Sequence, residues 1–165
     1  MKSGRGVSAV RAPWLVVLAL VATSSACTGS PASTSSWQSS SDRAIGELIS
    51  GLGTARIVVV QERRDRLPHP YSTQTVTDVI ETSSREISSY LVGQPPDDLH
   101  AANQAVTLAL HEAESLLVEV RVAIASPGLN GSSADDLVAR IDAMRDRLDR
   151  LDQAVMKSPR TVSPS

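Results

Sequence analysis

An all-α fold is what the sequence predicts: an up-down-up-down four-helix bundle behind a signal peptide and a flexible tether. Three observations carry it. Between residues 42 and 157, apolar side chains recur at spacings of three and four. Helix-ending signals punctuate that stretch at Pro68 and Pro70, at Gly93 before Pro95-Pro96, and at Pro127-Gly128. Long Val/Thr/Tyr alternations of the kind that mark strands are absent.

The first helix is expected to start near Asp42, with Ile45, Leu48, Ile49, Leu52, Ala55 and Val59 as its stripe, and to stop by Leu67 ahead of the two prolines. Ile57-Val-Val-Val60 is β-prone and pulls against that assignment. Gly46, Ser50 and Gly53 fall on one face, where small side chains admit a close neighbour. The second helix is expected to open at Thr75-x-x-Asp78, a capping-box-like start, and to carry Val76, Val79, Ile80, Ser83, Ile87, Tyr90 and Leu91.

The third helix opens with Pro96-Asp97-Asp98, acidic groups suited to the positive end of its dipole. Its stripe is Leu99, Ala102, Val106, Ala109, Ala113, Leu116, Val120 and Ala123, widened by Leu110, Leu117 and Ile124. The fourth has overlapping caps, Ser132-x-x-Asp135 and Ser133-x-x-Asp136, ahead of Ala134, Leu137, Ile141, Met144, Leu148, Leu151 and Val155. Asp136 with Arg140 and Asp146 with Arg150 make i, i+4 pairs, so the charged run from Arg140 to Asp152 reads as a solvated face. Asn130-Gly131-Ser132 spells a glycosylation sequon but reads as turn residues.

Ahead of the bundle, Lys2, Arg5 and Arg11 form a basic start, and an uncharged apolar run follows from Trp14 to Ala22. Small residues Thr23-Ser24-Ser25-Ala26 then lead to Cys27, the only cysteine. This order resembles the bacterial lipoprotein signal over residues 1–27. The resemblance implies that residues 1–26 are a removed signal peptide and that Cys27 is the lipidated N-terminus. It places the protein at the cell membrane, on the extracytoplasmic side. An acylated Cys27 leaves no thiol for a disulfide, a metal or catalysis. Residues 27–41, rich in Ser and Thr, read as a flexible tether, and residues 158–165 as a frayed tail. Such a tether spans about 20 Å and lets the domain float near the membrane, with Trp37 a solvated linker residue, docked on the domain or dipped into headgroups.

Composition narrows the function classes. Without residues 1–26 the chain keeps 13 basic and 18 acidic residues, a balance of −5. That argues against nucleic acid as a partner, and so does the scarcity of aromatic rings, with no Phe in the chain. His69, His100 and His111 are the histidines. His111-Glu112 begins like a zinc-protease motif, but Ser115 stands where the second ligand belongs. No Glu-x-x-His of a bundle di-metal site occurs, and Asp97-x-x-His100 reads as capping plus a surface imidazole. No serine sits in a hydrolase motif. No cofactor, metal or catalytic residue is therefore expected.

What remains is a membrane-tethered envelope lipoprotein, a non-enzymatic protein-interaction or adaptor bundle. A small-ligand carrier with a cavity between helices, and an enzyme with an unrecognised site, are the alternatives. The sequence offers one contact surface. Leu108, Val118 and Val122 point away from the third helix's core stripe, with His111 at their edge. Either the tether, the loop from residue 63 to 71 or the tail covers them, or they meet an envelope protein partner or a second copy.

Overall fold

The hydroxyl of Ser33 accepts from the backbone N–H of Ser36 at 3.2 Å and caps the first helix, α1 (Thr34–Glu62). The computed structural model describes residues 33–126, 129 and 131–157, all within the unit Pro31–Ser165. The expected signal peptide, Cys27, the Pro127-Gly128 stop, Asn130 and the tail lie outside the described residues. Among the described residues there are four α-helices, one 3-10 turn and no strand.

The helix start corrects the expected tether, whose last eight residues belong to α1. A serine run carries little apolar surface, but here one indole supplies it. Trp37 is buried, and its Nε1–H donates to Asn103 Oδ1 at 3.0 Å. Gln38 Nε2 donates to the Val155 carbonyl at 3.0 Å, and Ser41, fully buried, donates to the Trp37 carbonyl at 2.9 Å. Tertiary contacts override weak local propensity. At the other end, Arg66 N–H bonds to Gln61 O and Asp65 N–H to Glu62 O, the Schellman pattern. Asp65 takes the left-handed position (φ 50°) that glycine usually fills.

The second helix, α2 (His69–Val92), begins six residues ahead of the expected Thr75 cap. Pro70 stands in its first turn, where a missing N–H breaks no bond. Thr75, expected as a cap, instead donates to the Tyr71 carbonyl at 2.9 Å. A 3-10 turn (Asp97–Leu99) leads into α3 (His100–Ala125). The last helix, α4, covers Gly131–Lys157, so the expected caps Ser132 and Ser133 stand inside its first turn.

Named contacts fix how the helices run. Gln38 meets Val155, Arg56 meets Asp142 and Arg63 meets Asp135, so α1 and α4 are antiparallel. Glu62 meets Ser72 while Arg43 meets Glu86 on α2. Ser84 meets Glu114 and Tyr90 meets Asn103 between α2 and α3. Glu112 meets Arg147 and Glu119 meets Arg140 between α3 and α4.

The core is aliphatic. Ile45, Leu48, Leu52, Val76, Val106, Leu110, Leu117, Val120, Ile141 and Leu148 are fully buried. At ~100° per residue, the buried positions of α1 (Trp37 to Val59) sweep an arc of about 160°, those of α3 about 120°, and those of α2 and α4 only about 60°. α1 is therefore the hub: α2, α3 and α4 all pack on it, and α3 reaches it across the bundle's diagonal. Its length and hydropathy would suffice to cross a membrane, yet its apolar arc is spent on this core.

Of the small face expected on α1, a Cβ added at Gly46 would meet nothing within 4 Å, Ser50 is exposed, and a Cβ at Gly53 would lie 3.9 Å from the Arg145 guanidinium. The close approach is at Gly51, where an added Cβ would lie 2.9 Å from Val79 Cγ1 and 3.2 Å from Ser83 Oγ.

Candidate functional site

The outer surface of α3 carries a second stripe at alternating spacings of three and four: Ala101, Gln104, Leu108, His111, Ser115, Val118, Val122 and Ala125. All eight are exposed, and none is Asp, Glu, Lys or Arg. Leu108 is 55% exposed, Val118 36% and Val122 56%. The four residues expected to make a contact surface thus share one side of one helix. No described residue buries them.

Charged groups flank the stripe on both sides. Toward α4, Arg140 Nη1 and Nη2 donate to Glu119 Oε1 and Oε2 at 2.6 and 2.5 Å, a bidentate pair. Arg147 pairs with Glu112 two helical turns away. The Arg140 guanidinium holds Glu119 below the usual carboxylate range by hydrogen bonding, against a smaller opposing effect of burial. Toward α2, Glu114 accepts from the Ser84 hydroxyl and lies 3.7 Å from His111 Nδ1. Glu112 and Glu114 therefore serve opposite flanks, as their two-residue spacing requires.

These pairs correct the reading of the Arg140–Asp152 run as a purely solvated face. Arg140 sits 3.9 Å from Asp136 on its own helix but closer to Glu119 across the interface. Arg56 Nε donates to both oxygens of Asp142 at 2.8 and 3.1 Å. Sequence spacing shows partners on one helix, whereas partners on a neighbour depend on rotation about both axes.

Bordering the stripe, and lined in part by its His111 and Ser115, α3 and α4 leave an open groove of about 580 Å³ with Leu116, Ala143 and Met144 among its lining residues and Glu112, Glu119, Arg140 and Arg147 along it. Its apolar lining and convergent charges are what a small ligand would need.

No sequence motif marks the polar cluster at the α1–α2 turn. Ser72 Oγ donates to Glu62 Oε2 at 2.5 Å, and His69 Nδ1 lies 3.0 Å from Glu62 Oε1. Burial pushes Glu62 up, but the Ser72 and His69 hydrogen bonds and the His69 charge together bring it below its ordinary value. Hydroxyl and imidazole both engage the carboxylate rather than each other, so the geometry is that of a turn clamp and not of a base activating a nucleophile. Asp97 and His100, read as a cap and a surface imidazole, are exposed and lie 3.8 Å apart, but Pro96 and Leu99 hold the N-cap positions of the 3-10 turn and α3, without a side-chain capping bond. Among the described residues, no three His, Cys, Asp or Glu side chains converge to hold a metal ion.

Compared with protein-family models, curated proteins and solved structures, the chain matches none of them.

Proposed function

We propose that this chain is a lipid-anchored envelope protein whose bundle docks a protein partner along the outer stripe of α3. The single observation behind this reading is the stripe from Ala101 to Ala125, exposed and free of Asp, Glu, Lys and Arg over the whole of α3. A solvated helix face ordinarily carries charge, as the outer face of α4 does. Three large aliphatic side chains at heptad-like spacing instead suit knobs-into-holes packing with another helix. The basic–apolar–small–Cys27 order supports the anchor.

A photo-crosslinking residue at Val118 tests the reading against the same residue at Gln153, exposed on α4. A discrete adduct from position 118, lost on Val122→Ser with melting unchanged, is the expected result. Equal adducts from both positions, or a melting point that collapses with Val122→Ser, would overturn it.

The groove beside the stripe favours a second reading, a carrier of a small, partly apolar ligand. Native mass spectrometry of the purified chain separates the two. A retained ligand mass, lost on Met144→Arg, supports the carrier.

A further inference from the structure

One end of the bundle is defined by hydrogen bonds. Asn103 Oδ1 accepts from Trp37 Nε1 at 3.0 Å and from the Tyr90 hydroxyl at 2.6 Å, and Gln38 beside Trp37 reaches the Val155 carbonyl. The residues just beyond this belt are Leu91, Val92 and Met156, all exposed, Val92 at 85%. From Leu91 through Gly93-Gln94-Pro95 to Pro96 there is no charged group. The opposite end differs in kind: its α1–α2 turn reads Arg63-Arg64-Asp65-Arg66, all exposed.

We propose that the Leu91–Val92–Met156 end rests in the headgroup region of a lipid bilayer. The inference rests on the reading of Cys27 as the lipid anchor. Because α1 is already capped by Ser33, six residues separate the anchor from the folded bundle. At ~3.3–3.6 Å per residue they reach at most about 20 Å, whatever their conformation. The anchored end is the one bearing Leu91, Val92 and Met156. The arginine-rich end lies roughly 40 Å away along helices of this length and cannot reach the same membrane while α1 stands upright. Aliphatic side chains held at the level of headgroups transfer into that layer, as the apolar faces of interfacial helices do. Asp97 and Asp98, exposed just after Pro96, keep the start of α3 in water and hold the contact shallow.

The test uses the full, lipidated chain in vesicles of phosphatidylethanolamine and phosphatidylglycerol. Acylation consumes the only native thiol, so Val92→Cys, Met156→Cys and Tyr71→Cys each offer one site for an environment-sensitive fluorophore. Labels at 92 and 156 should shift to the blue and be quenched by headgroup nitroxides, while the label at 71, at the far end, does neither. Val92→Asp should weaken quenching of the label at 156. A label at 92 as water-exposed as that at 71 would overturn the proposal. So would a blue shift in detergent-free protein without vesicles, which would show the chain covering its own patch. Flotation reports the anchor separately: protein that floats with an unshifted label keeps the anchor and loses only the proposal. Protein that does not float loses both.

Discussion

The indole N–H of Trp37 donates to the Asn103 side-chain oxygen at 3.0 Å, joining the first turn of α1 to the first turn of α3. The same oxygen accepts from Tyr90 on α2, so one carboxamide ties three helices together at one end. Burial raises the Tyr90 hydroxyl above its ordinary value, which keeps it a proton donor throughout the physiological range.

Trp37→Ala should accordingly destabilise the bundle by about 3–5 kcal/mol, the usual cost of emptying a large core site. Asn103→Ala strands two donors and should cost about 1–3 kcal/mol for each. A fragment starting at residue 42, which omits Trp37, Gln38 and Ser41, should melt well below one starting at residue 33. Chemical denaturation of the four proteins checks this, and equal midpoints for the two fragments would contradict the role given to Trp37.

Two glycines five residues apart on α1 should respond oppositely to alanine. Gly46→Ala places a methyl in open space and should stabilise by up to about 1 kcal/mol through helix propensity. Gly51→Ala drives a Cβ to 2.9 Å from Val79, and the overpacking should cost about 1–3 kcal/mol. Thermal melts of the two variants give the comparison directly.

Ser83 faces Gly51 with a fully buried hydroxyl that has no hydrogen-bond partner. Ser83→Ala should therefore raise stability by roughly 1 kcal/mol, because a buried unsatisfied polar group is removed without opening a cavity. Unchanged or lower stability would show that the hydroxyl is satisfied after all.

Acid should act on two carboxylates with opposite sign. Glu62 titrates below its ordinary 4.5, so its bonds to Ser72 and His69 stabilise fully above that value and are lost as pH falls through the depressed one. Asp152 titrates above its ordinary 3.8, chiefly from burial and then from Asp42 and Asp149. Its penalty is present at neutral pH and disappears as pH falls through the raised value. Asp152→Asn should thus stabilise at pH 7 with the gain fading in acid. Glu62→Gln should destabilise at pH 7 with the loss fading in acid. Stability curves against pH for the two variants should converge on wild type from opposite sides.

The stripes of α3 and α4 could be read off the sequence because Val106, Ala113, Val120, Ile141 and Leu148 keep strict helical spacing. The exposed placement of Leu108, Val118 and Val122 followed from the same arithmetic. The start of α1 did not, since Thr34 to Ser41 has one apolar anchor whose partner, Asn103, lies 66 residues on. The start of α2 was hidden by Pro68 and Pro70, which break a helix in its interior but suit its first turn. The Glu112–Arg147 and Glu119–Arg140 pairs needed the relative rotation of two helices, which no single-helix periodicity contains.

The hub position of α1 has a consequence in time. A ribosome finishes α1 long before α4, whose first residue is Gly131. At ~5–20 residues per second the interval lasts roughly 3–15 s. Throughout it, the widest buried arc among the described helices waits for the last-made of its three partners. Closure of the bundle then depends on contacts such as Gln38 with Val155, 117 residues apart, which local helix formation cannot supply. Until α4 is made, a nascent chain of this design keeps one flank of its central helix open to water.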